Sequence, residues 1–213
     1  MPSPSILHET PHLIAIDKPA GMSVEKSPHG YPSVEQWVID TLSKRYRNPY
    51  VGIVHRLDRK TSGVLLVAKK ISALRKLNAQ FAERQTKKIY HALVDTPPPR
   101  SEGRLQHYLG RNPQRRQATV SDKKGPNTKE AVLTYRTLET HDKSTLLEIR
   151  PIHGRFHQIR AQLAHIGCPI QGDALYGSTR SFGKEAIALH AAELHFRHPV
   201  SGKHLQVRAK RPF

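Results

Sequence analysis

Residues 52–70, GIVHRLDRKTSGVLLVAKK, set the tightest limit on what this chain can fold into. Two apolar runs, 52–54 and 64–68, flank a polar segment that carries His55, Arg56, Asp58, Arg59, Lys60 and Thr61. Short β-branched runs bounded by Ser and Gly are strand signals. The polar segment is then a turn between two strands, where side chains can be presented without being buried. Asp58 has Arg56, Arg59 and Lys60 within two residues. Nearby positive charge favours the charged form of a carboxylate, which makes Asp58 a candidate nucleophile or base. A solvated turn in which Asp58 only shapes the backbone fits the same residues, and spacing alone does not separate the two.

The rest of the chain narrows the partner. It holds 35 Lys and Arg against 17 Asp and Glu in 213 residues, a formal net charge of +18. The cations run through the whole sequence rather than forming a tail, so a polyanion is expected, with nucleic acid first. No apolar run approaches the ~20 residues a membrane span needs, and no basic amphipathic helix suggests binding to a membrane surface. The first residues, MPSPSILHETPHLIAIDKP, lack the basic start and apolar core of a signal peptide. A cytoplasmic protein is expected. The single cysteine, Cys168, rules out an internal disulfide and a cysteine-built metal cluster. Fourteen histidines leave a metal open, but His153 and His157 have Gly154 between them and Pro151 just before, a poor helical pair. No metal is expected, and the length suits one domain.

Along the chain, residues 13–17 read as a strand entering a Lys18-Pro19-Ala20-Gly21 turn. Ser33-Val34-Glu35-Gln36 is a capping box, with Gln36 free to reach back to the cap, ahead of a helix burying Val34, Trp37, Val38 and Leu42. A second helix opened by Ser72 has Leu74, Leu77 and Phe81 as its apolar stripe. Residues 87–94 alternate as a strand, with Tyr90, Ala92 and Val94 on one face. Residues 95–131 are poor in apolar side chains and contain Arg111, Arg115 and Arg116. They form either a solvated loop or a hairpin facing nucleic acid, and the arginine clustering favours the hairpin. A strand over 146–150 leads to a helix with Phe156, Ile159, Leu163 and Ile166 as its stripe, ended by Gly167 and Pro169. Arg160 lies beside that stripe, where it can enter a pocket at the helix edge or remain on the surface.

These motifs together resemble one family. His55-Arg56-Leu57-Asp58 followed by Thr61-Ser62-Gly63 is similar to the signature of the RluA-type pseudouridine synthases. The resemblance continues in Lys18-Pro19-Ala20-Gly21, in Lys88-Ile89-Tyr90-His91-Ala92, and in a return strand over 125–135 interrupted by Pro126 and Asn127. Gly154-Arg155, His157-Gln158-Ile159-Arg160, Gly172-Asp173, Leu175-Tyr176-Gly177 and the terminal segments around Leu189 and His198 follow in the family's order, so the likeness spans residues 13–209. Departures fall at Ser23-Val24-Glu25-Lys26, at Phe156 where Thr or Ser is usual, at Ala161-Gln162 and at Cys168.

The resemblance implies an α+β fold, a mixed and largely antiparallel sheet with packed helices forming one pseudouridine synthase catalytic domain over residues 1–213. No separate RNA-binding domain is expected ahead of Leu13. It implies isomerisation of uridine to pseudouridine in structured rRNA or tRNA by a monomer without cofactor, with Asp58 as nucleophile on a flipped-out uridine. Tyr90 is implied as the aromatic surface for that base, and Arg160 as the partner orienting Asp58. Arg56 is implied to prop the vacated stack, and His55, Arg59, Arg155, His157, Arg111, Arg115 and Arg116 are expected to contact RNA. Two other readings stay open: a non-catalytic RNA-binding protein on the same fold, and a metal-dependent RNA enzyme. The second lacks a carboxylate cluster in the sequence.

Overall fold

The structure, a computed structural model, describes residues 3–142 and 144–213. In chain order its elements are β1 (Ser5–Glu9), β2 (Leu13–Lys18), α1 (Val34–Ser43), β3 (Gly52–Ile53), β4 (Ser62–Ala68), α2 (Ile71–Ala82), β5 (Lys87–Val94) and β6 (Glu102–Asn112). They continue with β7 (Gln117–Ser121), β8 (Lys129–His141), β9 (Ser144–Pro151), α3 (Gln158–His165), a single 3-10 turn (Ala174–Tyr176), β10 (Leu189–Arg197) and β11 (His204–Arg208). The architecture is the expected α+β class, and every strand pairing named below is antiparallel except a short parallel one between β4 and β10. The described residues form two compact units, the first built from residues 3–88, 184–186 and 190–212, the second from 89–142, 144–183 and 187–189 with residue 213.

In the first unit β1, β2, β4 and β10 lie side by side, with β11 added to β10 and β3 to β4. All seven residues of β4 are buried, which is why residues 64–68 read as a continuous apolar run rather than an alternation. Leu13, Ala15, Val64, Leu66 and Ala68 form the unit's core with Leu194, Phe196 and Val207, closed by Ala73 and Leu77 of α2. Buried Gln80 of α2 fixes the helix by a double clasp: its Nε2 donates to the Arg197 carbonyl at 2.9 Å and its Oε1 accepts from the Arg197 N–H at 2.8 Å. In α1 the Ser33 hydroxyl accepts from the Gln36 N–H as expected. Gln36 does not reach back, because its amide donates to Asp40 one turn on, and Trp37 is only half-buried.

In the second unit the strand order is β5-β9-β8-β6-β7. Residues 95–131 resolve into the hairpin reading: β6 and β7 pair around a turn at 113–116, where Arg116 takes a left-handed φ of 51°. The return strand begins at Lys129, after a turn that Pro126 and left-handed Asn127 enforce. Helix α3 buries six of its eight residues, including Arg160 and Gln162. It starts at Gln158, two residues later than the Phe156 stripe required. Phe156 precedes it and is 37% exposed, because His157 adopts a left-handed conformation that turns the chain before the helix begins. His153 and His157 both lie outside the helix, in keeping with their poor helical spacing.

Candidate active site

The Asp58 turn is held by its backbone. The Asp58 carbonyl accepts from the Thr61 N–H at 3.0 Å, closing a tight turn before β4. The carbonyl of Arg59, the next residue, accepts both the Gly21 N–H at 2.8 Å and the Lys18 ammonium at 3.1 Å. Lys18 is fully buried at the end of β2, and its ammonium also donates to the carbonyls of Pro19 at 3.0 Å and Met22 at 2.9 Å. Three protons thus meet three carbonyls, and the Lys-Pro-Ala-Gly turn is locked to the turn carrying Asp58. Burial pushes the Lys18 pKa down to about 7, against the opposing pull of the Asp58 charge.

The other end of the turn is fixed where β4 starts. Gly63 has φ +109° and lies opposite Ala191 of β10, where an added Cβ would come within 2.2 Å of the Ala191 carbonyl oxygen. Only glycine permits this approach. Beside it the Ser62 hydroxyl and His190 Nδ1 are 2.9 Å apart, and His190 Nε2 lies 3.3 Å from the Ala209 carbonyl, so the strand start is bound through a buried imidazole.

The neighbours of Asp58 on this turn divide by environment. His55, half-buried as a residue, stacks its ring on Phe81 at 4.8 Å and accepts the Leu66 N–H on Nε2 at 3.1 Å. Burial, helped by the Lys88 charge, pushes its pKa down to about 3. It is a neutral anchor of the turn. Arg59 lies over the Tyr31 ring at 4.2 Å and is ion-paired with Glu185. Arg56 is the outward one, its side chain 71% exposed and paired with exposed Glu25 at 3.2 Å. Pairs of that kind contribute little and separate readily.

In the second unit Tyr90 sits on β5 opposite Ile149 and packs, half-buried, against the core of Ala92, Leu147, Ile149 and Leu163. Arg160 is buried, as its place beside the helix stripe allowed. Its guanidinium grips Asp173 with two bonds, Nε to Oδ2 at 2.6 Å and Nη2 to Oδ1 at 2.8 Å, and lies 5.1 Å from the centre of the Tyr176 ring. Asp173 is itself only 2% exposed. The sequence reading assigned it no role, although one acid beside a glycine in so basic a chain was a usable signal. Arg155 braces the preceding turn, its Nε donating to the Glu130 carbonyl at 3.0 Å. Arg111, Arg115 and Arg116 stand exposed on the β6–β7 hairpin.

One group among the described residues has metal-like spacing: His107, Asp122 and His165, with ligand atoms all within 4.8 Å of one another. Its hydrogen bonding suits protons better. Gln162 Nε2 donates to the Ala131 carbonyl at 3.1 Å and faces His107 Nδ1 at 3.0 Å. That places the ring proton of His107 on Nε2, toward Asp122 at 3.6 Å, where a metal would need a lone pair.

The structure thus holds a turn carrying Asp58, fixed by backbone hydrogen bonds, ahead of β4 on a mixed and largely antiparallel sheet. The chain belongs to the RNA pseudouridylate synthase family, whose profile matches residues 12–165. It is 38% identical over 211 residues to the ribosomal large subunit pseudouridine synthase C of Vibrio cholerae, covering 96% of this chain and 64% of that protein. It is 37% identical over 222 residues to the ribosomal large subunit pseudouridine synthase D of Zymomonas mobilis, covering 97% of this chain and 69% of that one. The chain therefore spans a little under two thirds of the first of these relatives. In fold it is similar to human RNA pseudouridylate synthase domain containing 4, with a TM-score of 0.81, 24% identity, and 98% and 88% of the two chains covered. No helix among the described residues is long and apolar enough to cross a membrane.

Proposed function

We propose that this chain isomerises uridine to pseudouridine in RNA, with Asp58 as the nucleophile. The observation that carries the reading is the Arg59 carbonyl, which takes hydrogen bonds from Gly21 and buried Lys18 and so fixes the backbone beside Asp58. A carboxylate that must meet one carbon of a flipped nucleotide needs such a support, since misplacement by about 1 Å can cost 10²-fold in rate. Asp58 attacks either the anomeric carbon or the base. The bond between the sugar and the base nitrogen breaks, the base turns, and a bond from its carbon to the sugar forms. That carbon loses a proton and the nitrogen gains one, so the reaction balances without a co-reactant.

Extruding a stacked uridine costs a few kcal/mol. Tyr90 supplies the aromatic surface for the extruded base and Arg56 fills the vacated stack, while Asp173 orients Arg160. Residues 1–213 act as one catalytic domain, as a monomer in the cytoplasm. The names of the relatives favour a uridine of large-subunit ribosomal RNA over a transfer RNA.

The test is a uridine-to-pseudouridine assay on unmodified large-subunit rRNA and on tRNA, with EDTA present. The expected result is product on rRNA without strand scission, and none from Asp58→Asn, which retains RNA binding. Product from Asp58→Asn would remove Asp58 from the chemistry, and binding without product by the parent chain would favour the non-catalytic reading.

A further inference from the structure

Phe156 stands where the family pattern has Thr or Ser, and the structure uses it to build a stacked column. Arg111, at the end of β6, places its guanidinium carbon 4.3 Å from the Phe156 ring centre. His157 stacks on the same ring at 3.8 Å with an interplanar angle of 19°. His157 in turn meets Tyr176 edge-on at 5.7 Å. The Tyr176 hydroxyl accepts the Ala118 N–H of β7 at 2.7 Å and lies within hydrogen-bond distance of His157 Nδ1 at 3.0 Å. Gln117 adds a bond from its side chain to the Leu175 carbonyl. The column is thus tied to the hairpin at both ends, and it holds His157 at φ 51°, a left-handed conformation costly for a residue with a Cβ.

Phe156 is packed against both Arg111 and His157. The open end of the column is Arg111, which is exposed and makes no ion pair among the described residues, whereas Arg56, Arg59, Arg136, Arg150 and Arg160 each have a carboxylate. A guanidinium backed by an aromatic ring loses little freedom when a flat partner stacks on it, and Arg planes are good partners for unstacked bases.

We propose that Arg111, backed by Phe156 and His157, is a stacking platform for an unpaired nucleobase of the RNA, separate from the one that reacts. The inference rests on the RNA-binding part of the proposed function. Its neighbours at the hairpin turn, Arg115 and Arg116, then serve the phosphates.

The charge-preserving variant separates the two roles. An RNA stem-loop with 2-aminopurine in its loop and a blunt duplex of equal length are titrated with the parent, Arg111→Lys and Phe156→Thr. The parent should bind the stem-loop more tightly than the duplex and quench the probe. Arg111→Lys should lose about tenfold on the stem-loop, within the range for one lost base stack. It should also lose the quenching, yet bind the duplex as before with the same salt dependence. Phe156→Thr should follow it to a smaller degree. Because Arg111 is exposed, the Lys variant keeps the parent melting temperature. Parent-like stem-loop binding and quenching by Arg111→Lys would overturn the platform and leave a phosphate contact. A parent chain that binds neither RNA would instead overturn the RNA reading, and the platform with it.

Discussion

At the scale of single residues, the buried polar groups decide most of what can be tested. Lys18 has a folded pKa near 7, far below the ordinary lysine value of 10.5. Between those two values the unfolded chain binds more protons than the folded one, so the Lys18 contribution makes stability rise with pH across that window. Activity should run the other way. A neutral amine has two donors for three carbonyls, so one support beside Asp58 is lost as pH rises through about 7. The rate should show an alkaline limb there, while denaturant titrations show a rising stability term that Lys18→Met abolishes. An activity profile flat to pH 9 would separate the Lys18 clasp from catalysis. His55 acts on stability in the same direction in a more acidic window: with its folded pKa near 3 and the unfolded value at 6.5, its contribution to stability is complete above 6.5 and is lost as pH falls toward 3. Its imidazole signals should stay in the neutral position down to pH 4 by NMR. Arg160 and Asp173 form a pair buried to within 5% and 2% of exposure. Removing one partner of such a pair costs about 3–5 kcal/mol, because the other charge remains buried. Asp173→Ala should lower the melting temperature strongly, and Asp173→Ala combined with Arg160→Met should recover part of the loss. Additive losses would show that the two charges do not depend on each other.

At the scale of elements, β4 and its entry turn were the most legible part of the chain, because an apolar run next to Ser-Gly admits few folds. The Gly63 requirement was not legible, since it comes from Ala191, 128 residues away. Gly63→Ala should therefore be among the most damaging single-methyl additions, destabilising the fold and the turn together. A Gly63→Ala chain with parent melting temperature and rate would contradict the 2.2 Å approach. Strand β5 coincided with its alternation, Lys87–Val94, because local pattern and pairing agree there. The β6–β7 hairpin was only one of two options, since β7 is an edge strand, both strands have few apolar residues and their register comes from partners. Strand β1, an exposed edge paired to β2, left no sequence signal of its own. The start of α3 was misplaced by taking Phe156 as core. Its aromatic character fitted the stripe, and nothing local reports that His157 turns the chain left-handed. Among the candidate residues, Asp58 stood out by its flanking cations without being separable from a plain turn, whereas the roles of Tyr90 and Arg160 came only from the family resemblance. Asp173 and Lys18 were missed because the Arg160 and Arg59 groups they bind are brought to them by the fold, and a charged side chain gives no local sign that it is buried.

At the scale of the whole molecule, a net charge of +18 makes nonspecific attraction to any RNA inevitable, so affinity alone will not identify the substrate. What separates the hairpin from this background is the salt dependence. Each phosphate contact removed should reduce the log–log slope of binding against salt by about one unit. Arg115 and Arg116 are exposed at the β6–β7 turn, and neither forms an ion pair among the described residues. Replacing both with Gln should lower the slope by about two units, weaken duplex and stem-loop RNA alike, and leave the melting temperature within about 2 °C of the parent, since surface changes of this kind move stability by about 0.5 kcal/mol or less. Scattered cations elsewhere offer an internal control: Arg75 and Lys76 on the outer face of α2 are exposed or nearly so and lie in the first compact unit. If RNA engages the hairpin specifically, replacing Arg75 and Lys76 with Gln should change the slope by much less than the hairpin pair does. Equal changes from the two double variants would mean that the chain attracts RNA through its overall field, and that the hairpin has no privileged contact.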